Sequence, residues 1–150
     1  MNPFDLKTAL LAKHAQHVVV IHFPIALFTA SALFDLLARW RRDKTLSTAA
    51  YYNLLGAAVA ALPTVATGLI AWQWLFEGEK LRGNLRFHLI LGLTSAGLIW
   101  LLAWWRMRQR KGSEERLTVP YLVVELLAVA VIALTAHLGG ILSGVEIPPG

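Results

Sequence analysis

The chain has no cysteine and little charge: only 15% of its 150 residues are Asp, Glu, Lys or Arg, while 57% are hydrophobic. Without cysteine there is no disulfide, no thiolate metal site and no cysteine-held iron–sulfur cluster. Any bound metal or cofactor must then be held by His, Met, a carboxylate or the backbone. The scarcity of charge excludes an evenly polar exterior, since soluble domains average about a quarter charged residues. A mean hydropathy of +0.57 also excludes disorder. No P-loop, dinucleotide fingerprint or Ser-His-Asp arrangement is present, so the chain offers no sign of a stand-alone enzyme.

What is present is long apolar runs. Residues 18–34, 45–76 and 87–105 carry no Asp, Glu, Lys or Arg, and residues 117–145 carry only Glu125. Crossing a bilayer takes about 20 apolar residues in a helix. Four such runs fill the chain, and they lack the period-two alternation of strands. The expectation is an all-α integral membrane protein: a single domain over 1–150, folded as an up-and-down four-helix bundle. The helices are placed at about 17–39, 48–76, 85–108 and 118–142. Ser47 or Thr48 is the expected cap of the second helix, and Pro120 fits the first turn of the fourth. Asn2, Pro3 and the apolar residues Phe4, Leu6, Leu10 and Leu11 suggest a short interfacial helix over 2–15. Ala30-Ser31-Ala32 mimics a signal-peptide cleavage site, but the apolar run continues to Arg39, Arg41 and Arg42, a stop-transfer pattern. No internal repeat is evident along the sequence.

Lys and Arg orient the bundle. Nine of the 14 lie in the first and third loops, from Arg39 to Lys44 and from Arg106 to Arg116. The positive-inside rule puts those loops in the cytoplasm and both termini on the periplasmic side of a bacterial inner membrane. The net charge of +5 is therefore a loop property, and nucleic acid is not an expected partner. Trp40, Tyr51, Tyr52, Trp104, Trp105 and Tyr121 are expected to belt the cytoplasmic interface, and Trp72 and Trp74 the opposite one.

This topology gathers the histidines. His14 precedes helix one, His17 and His22 open it, His88 opens helix three, and His137 closes helix four, so all five fall in the outer half. His14 reads as an interfacial group. Ionisable groups within membrane helices are costly and tend to be functional, and imidazole is a good ligand for haem iron, copper or zinc. His22, His88 and His137, from three helices, are the candidate axial ligands, with His22–His88 the expected pair and His17 available for a second group. His17 and His22, five residues apart, point about 140° apart on a straight helix and cannot easily grip one ion. Small residues around these positions, including Gly92 and Gly140, leave room for a flat macrocycle or for ordinary close helix packing. Arg86 is placed to pair with a propionate. These residues suggest haem b, one or two, with a quinone as a further ligand. Asp35 and Glu125 lie inside the apolar runs near the cytoplasmic side and form a candidate proton path, although Asp35 is also placed to pair with Arg39.

His22-Phe23-Pro24-Ile25-Ala26-Leu27, Thr67-Gly68-Leu69 and His137-Leu138-Gly139-Gly140 together resemble a bacterial membrane family labelled domain of unknown function 2231. The resemblance covers essentially the whole chain. Members occur alone or joined to Rieske-type or c-type cytochrome modules, which implies an electron-transfer role on the outer side. The expected function is an electron-transfer subunit binding b-type haem, quinol-linked, within the lipid bilayer and beside a redox or membrane-complex protein or a second copy. The alternatives are a non-redox accessory subunit and a His-based metal site or transporter.

Overall fold

A computed structural model of the chain describes residues 13–75, 81–110 and 117–144. The interfacial helix expected over 2–15 lies almost wholly outside the described residues. Four helices make up the fold: α1 (Lys13–Arg41), α2 (Lys44–Leu75), α3 (Gly83–Arg110) and α4 (Val119–Leu142). Each is long and apolar enough to cross a membrane, and no strand occurs among the described residues. The protein is an all-α membrane four-helix bundle.

The α1–α2 turn is tighter than the sequence suggests. Arg42 adopts φ 56, a left-handed conformation in which the chain reverses. Asp43 then caps α2, its Oδ1 accepting from the backbone N–H of Thr45 (2.7 Å) and of Leu46 (3.3 Å). A carboxylate at this position satisfies the orphan amides of the first turn. Ser47 and Thr48, the two residues expected to cap, are one turn inside the helix, and the Ser47 hydroxyl accepts from Arg106 at 2.8 Å.

Helices α1 and α2 pack along their length, α3 packs on α4 and on α2, and α4 closes the ring against α1, so that α1 and α3 stand diagonally. The core runs along the bundle axis through Phe28, Leu54, Ala57, Ile99, Leu102, Ala128 and Ile132. Lipid-facing positions carry the large apolar side chains that a water-soluble protein would hide, among them Val59, Leu101, Leu127 and Leu134.

The burial pattern reveals a repeat that the residue identities conceal. Shifted by 71 positions, the hairpin α1–α2 superimposes its buried register on the hairpin α3–α4. Pro24 and Ser95, Phe28 and Ile99, Asp35 and Arg106, Leu54 and Glu125, Ala57 and Ala128, and Ala61 and Ile132 are corresponding positions, all buried. The repeat is parallel: α1 corresponds to α3, and α2 to α4. Most paired residues differ chemically, which is why the sequence hides it. Packing geometry, rather than side-chain identity, is what the two hairpins share.

Candidate functional site

The repeat identifies the site, because a few positions keep the same residue in both hairpins. His17 corresponds to His88, Thr64 to Thr135 and Gly68 to Gly139. All six line one cavity of about 180 Å³ at the end of the bundle where the described chain begins and ends, the terminal end. The two imidazoles enter it from the diagonal helices α1 and α3.

Each imidazole is fixed by the partner helix of its own hairpin. His88 Nδ1 lies 3.1 Å from the Thr135 carbonyl oxygen. A carbonyl only accepts, so Nδ1 carries the proton and Nε2 the lone pair. His17 Nδ1 lies 3.1 Å from the Thr67 hydroxyl oxygen. That hydroxyl donates its one proton to the Pro63 carbonyl at 2.8 Å, so it accepts from Nδ1–H. Both cavity histidines are therefore held as the same tautomer, with Nε2 the accepting or ligating nitrogen.

The glycines make room for the rings. A Cβ on Gly68 would sit 2.9 Å from His17 Cε1, and one on Gly139 would sit 3.1 Å from His88 Cε1. Gly68 and Gly139 thus give the two imidazoles their space. Gly92 lines the cavity beside Thr135.

The other sequence candidates are placed elsewhere. His22 and His137 are exposed on the outside of the bundle, and the His22 ring bonds to the Val18 carbonyl of its own helix at 2.6 Å. The expected His22–His88 pair does not form across the cavity. His17 and His22 point to different sides of α1, and the side turned inward is that of His17. Arg86 is exposed, and Gly140 does not line the cavity, whereas its neighbour Gly139 does. His14's side chain lies outside the described residues. Among the described residues no group of three His, Asp or Glu forms a metal site.

The opposite end, which carries the basic loops, holds a second buried polar group. Asp35 pairs with Arg106 at 3.0 Å. Arg39, the partner expected from sequence, instead donates to the Leu117 carbonyl at 3.0 Å. Arg106 also donates to the Ser47 hydroxyl and carbonyl. Glu125 is 1% exposed and lies against Asp35 and Ser31. Trp105 and Tyr121 do not belt the interface. Tyr121 is fully buried, edge-on to Trp105 at 5.7 Å and 5.5 Å from the Arg106 guanidinium. Trp40, Tyr52 and Trp104 do face outward. Charge spacing in one dimension did not reveal Arg106, which reads as a loop cation, or Thr67 and Gly139. Thr67 and Gly139 lie within the Thr67-Gly68-Leu69 and His137-Leu138-Gly139-Gly140 motifs, whereas nothing in the sequence pointed to the Asp35–Arg106 pair.

The family model for a predicted membrane protein, DUF2231, matches residues 13–145. The chain belongs to this family. No curated protein and no solved structure matches it. The DUF2231 match spans all four helices, both cavity histidines and the buried group at the basic end.

Proposed function

We propose that the protein is a quinol-binding electron-transfer subunit whose site is the terminal-end cavity, on the periplasmic side of a bacterial inner membrane. The observation that carries this reading is the pair His17 and His88, both held with Nε2 as the accepting nitrogen and both lining one small apolar cavity. A cavity of about 150 Å³ holds a single benzene-sized ring, so about 180 Å³ suits one substituted ring. Leu69 of α2 and Leu93 of α3 line the cavity and are also exposed on the bundle surface, which gives a lipid-soluble ligand a lateral entrance. The imidazoles can accept hydrogen bonds, and then protons, from the two hydroxyls of a quinol. The two electrons released with those protons pass one at a time to two molecules of a one-electron redox protein on the same side.

Haem b is favoured by the donor set, since two neutral imidazoles with their Nδ1–H groups engaged suit axial ligation. The quinol reading is preferred because His22, Arg86 and Gly140, the other residues expected at a haem, do not line this cavity.

The test is equilibrium binding of a short-tailed benzoquinol to the protein in lipid nanodiscs. His17→Ala and His88→Ala are each expected to weaken binding about tenfold, the worth of one buried hydrogen bond, while His22→Ala and His137→Ala leave it unchanged. Absence of saturable binding, or equal loss with His22→Ala, rejects the reading. A Soret band in protein expressed with ample haem replaces it with the haem reading.

A further inference from the structure

The buried group at the basic end contains one carboxyl more than its single cation balances. Arg106 neutralises Asp35 through the 3.0 Å pair. Glu125 lies against the same pair, 1% exposed, with Oε1 lacking a hydrogen-bond partner among the described residues. Tyr121 Oη and Arg106 Nε are buried without a partner in the same way. Three such atoms in one place are unusual, because buried polar groups are nearly always satisfied.

The fold does not require a carboxyl there. In the other hairpin the position corresponding to Glu125 is Leu54, and that corresponding to Tyr121 is Ala50; both are fully buried. The same packing position is thus filled by an apolar residue in one half of the molecule and by an acid in the other. The Asp35–Arg106 pair gains nothing from a second carboxylate. An unbalanced negative charge inside a membrane span is costly, and a proton removes it.

We propose that Glu125 and Asp35 form a proton-binding site that holds one shared proton and exchanges it with water at the basic end. Every packed helix contributes to its surroundings. Asp35 and Ser31 come from α1, Arg106 from α3 and Tyr121 from α4 itself, and α2 supplies Ser47 on the guanidinium. The site is near that end: Glu125 is six residues into α4, about 9 Å along the helix. Toward the other end it is closed by the packed layer of Phe28, Ala57, Ile99, Ala128 and Ile132. The proton therefore enters and leaves through the basic end alone. The site stands independently of what occupies the cavity of His17 and His88.

Infrared spectroscopy of the protein in lipid tests this. The wild type is expected to show a protonated-carboxyl stretch that shifts in D₂O and bleaches as the pH is raised. Glu125→Leu, which installs the residue of the corresponding position and so preserves packing, is expected to abolish that band with the fold intact by circular dichroism. Asp35→Asn is expected to abolish it as well, because Glu125 then ionises as the sole partner of Arg106. No protonated-carboxyl band in the wild type, a band that survives Glu125→Leu, or one that fails to shift in D₂O would overturn the proposal.

Discussion

Asp35 and Arg106 occupy corresponding positions of the two hairpins, 71 residues apart, and join the diagonal helices α1 and α3 through a buried ion pair of 3.0 Å. Their correspondence makes a specific prediction. Removing Arg106 leaves an uncompensated buried carboxylate, so Arg106→Leu is expected to destabilise by about 3–5 kcal/mol, and Asp35→Leu by less, because Glu125 can ionise beside the guanidinium in its place. The double variant Asp35→Leu/Arg106→Leu recovers most of that loss, because two apolar side chains suit the same register. Thermal unfolding in detergent, completed as a double-mutant cycle, measures the coupling. Additive losses from the two single changes refute it.

The α1–α2 turn predicts a pair of opposed effects. Asp43→Ala removes the side chain that caps the α2 amides of Thr45 and Leu46, for an expected loss of about 1 kcal/mol. Arg42→Gly relieves a left-handed residue at φ 56 and is expected to raise stability by up to about 1 kcal/mol. Melting temperatures moving in opposite directions check the assignment.

The membrane class, the number of helices and the gathering of histidines at one end were legible because hydropathy and charge are one-dimensional signals. Which histidine faces inward was not. His17 and His22 both lie near the start of α1, and the rotation of α1 in the bundle decides which of them faces the cavity. Arg106 was misread for a related reason: a cation near a helix end reads as a loop charge until the third helix is placed beside Asp35. The repeat was concealed because corresponding positions conserve burial while exchanging Asp35 for Arg106 and Leu54 for Glu125.

The glycines against the imidazoles predict position-specific intolerance. Gly68→Ala places a methyl 2.9 Å from His17 Cε1 and must displace the ring, so quinol affinity is expected to fall tenfold or more. Gly139→Ala, at 3.1 Å from His88 Cε1, is expected to act in the same direction less severely. Gly97→Ala meets nothing within 4 Å and is expected to stabilise α3 by about 0.5–1 kcal/mol without touching binding. Equal binding by all three variants argues that the glycines serve ordinary helix packing.

The two tautomer locks differ in kind, and threonine substitution separates them. His17 is held by a side-chain hydroxyl, that of Thr67, whereas His88 is held by the main-chain carbonyl of Thr135. Thr67→Val deletes the acceptor and leaves the Nδ1–H of His17 without this bond, at a cost of about 1–3 kcal/mol while the ring keeps its tautomer. The ring is then expected to populate both tautomers, with quinol affinity falling about tenfold. Thr135→Val removes the hydroxyl facing Ser95 at 3.2 Å but keeps the carbonyl, so His88 is expected to retain its tautomer and its part in binding. Nitrogen NMR of histidine-labelled protein distinguishes Nδ1–H from Nε2–H directly. A tautomer change at His88 in Thr135→Val, or none at His17 in Thr67→Val, shows that something other than these two bonds sets the orientation of the rings.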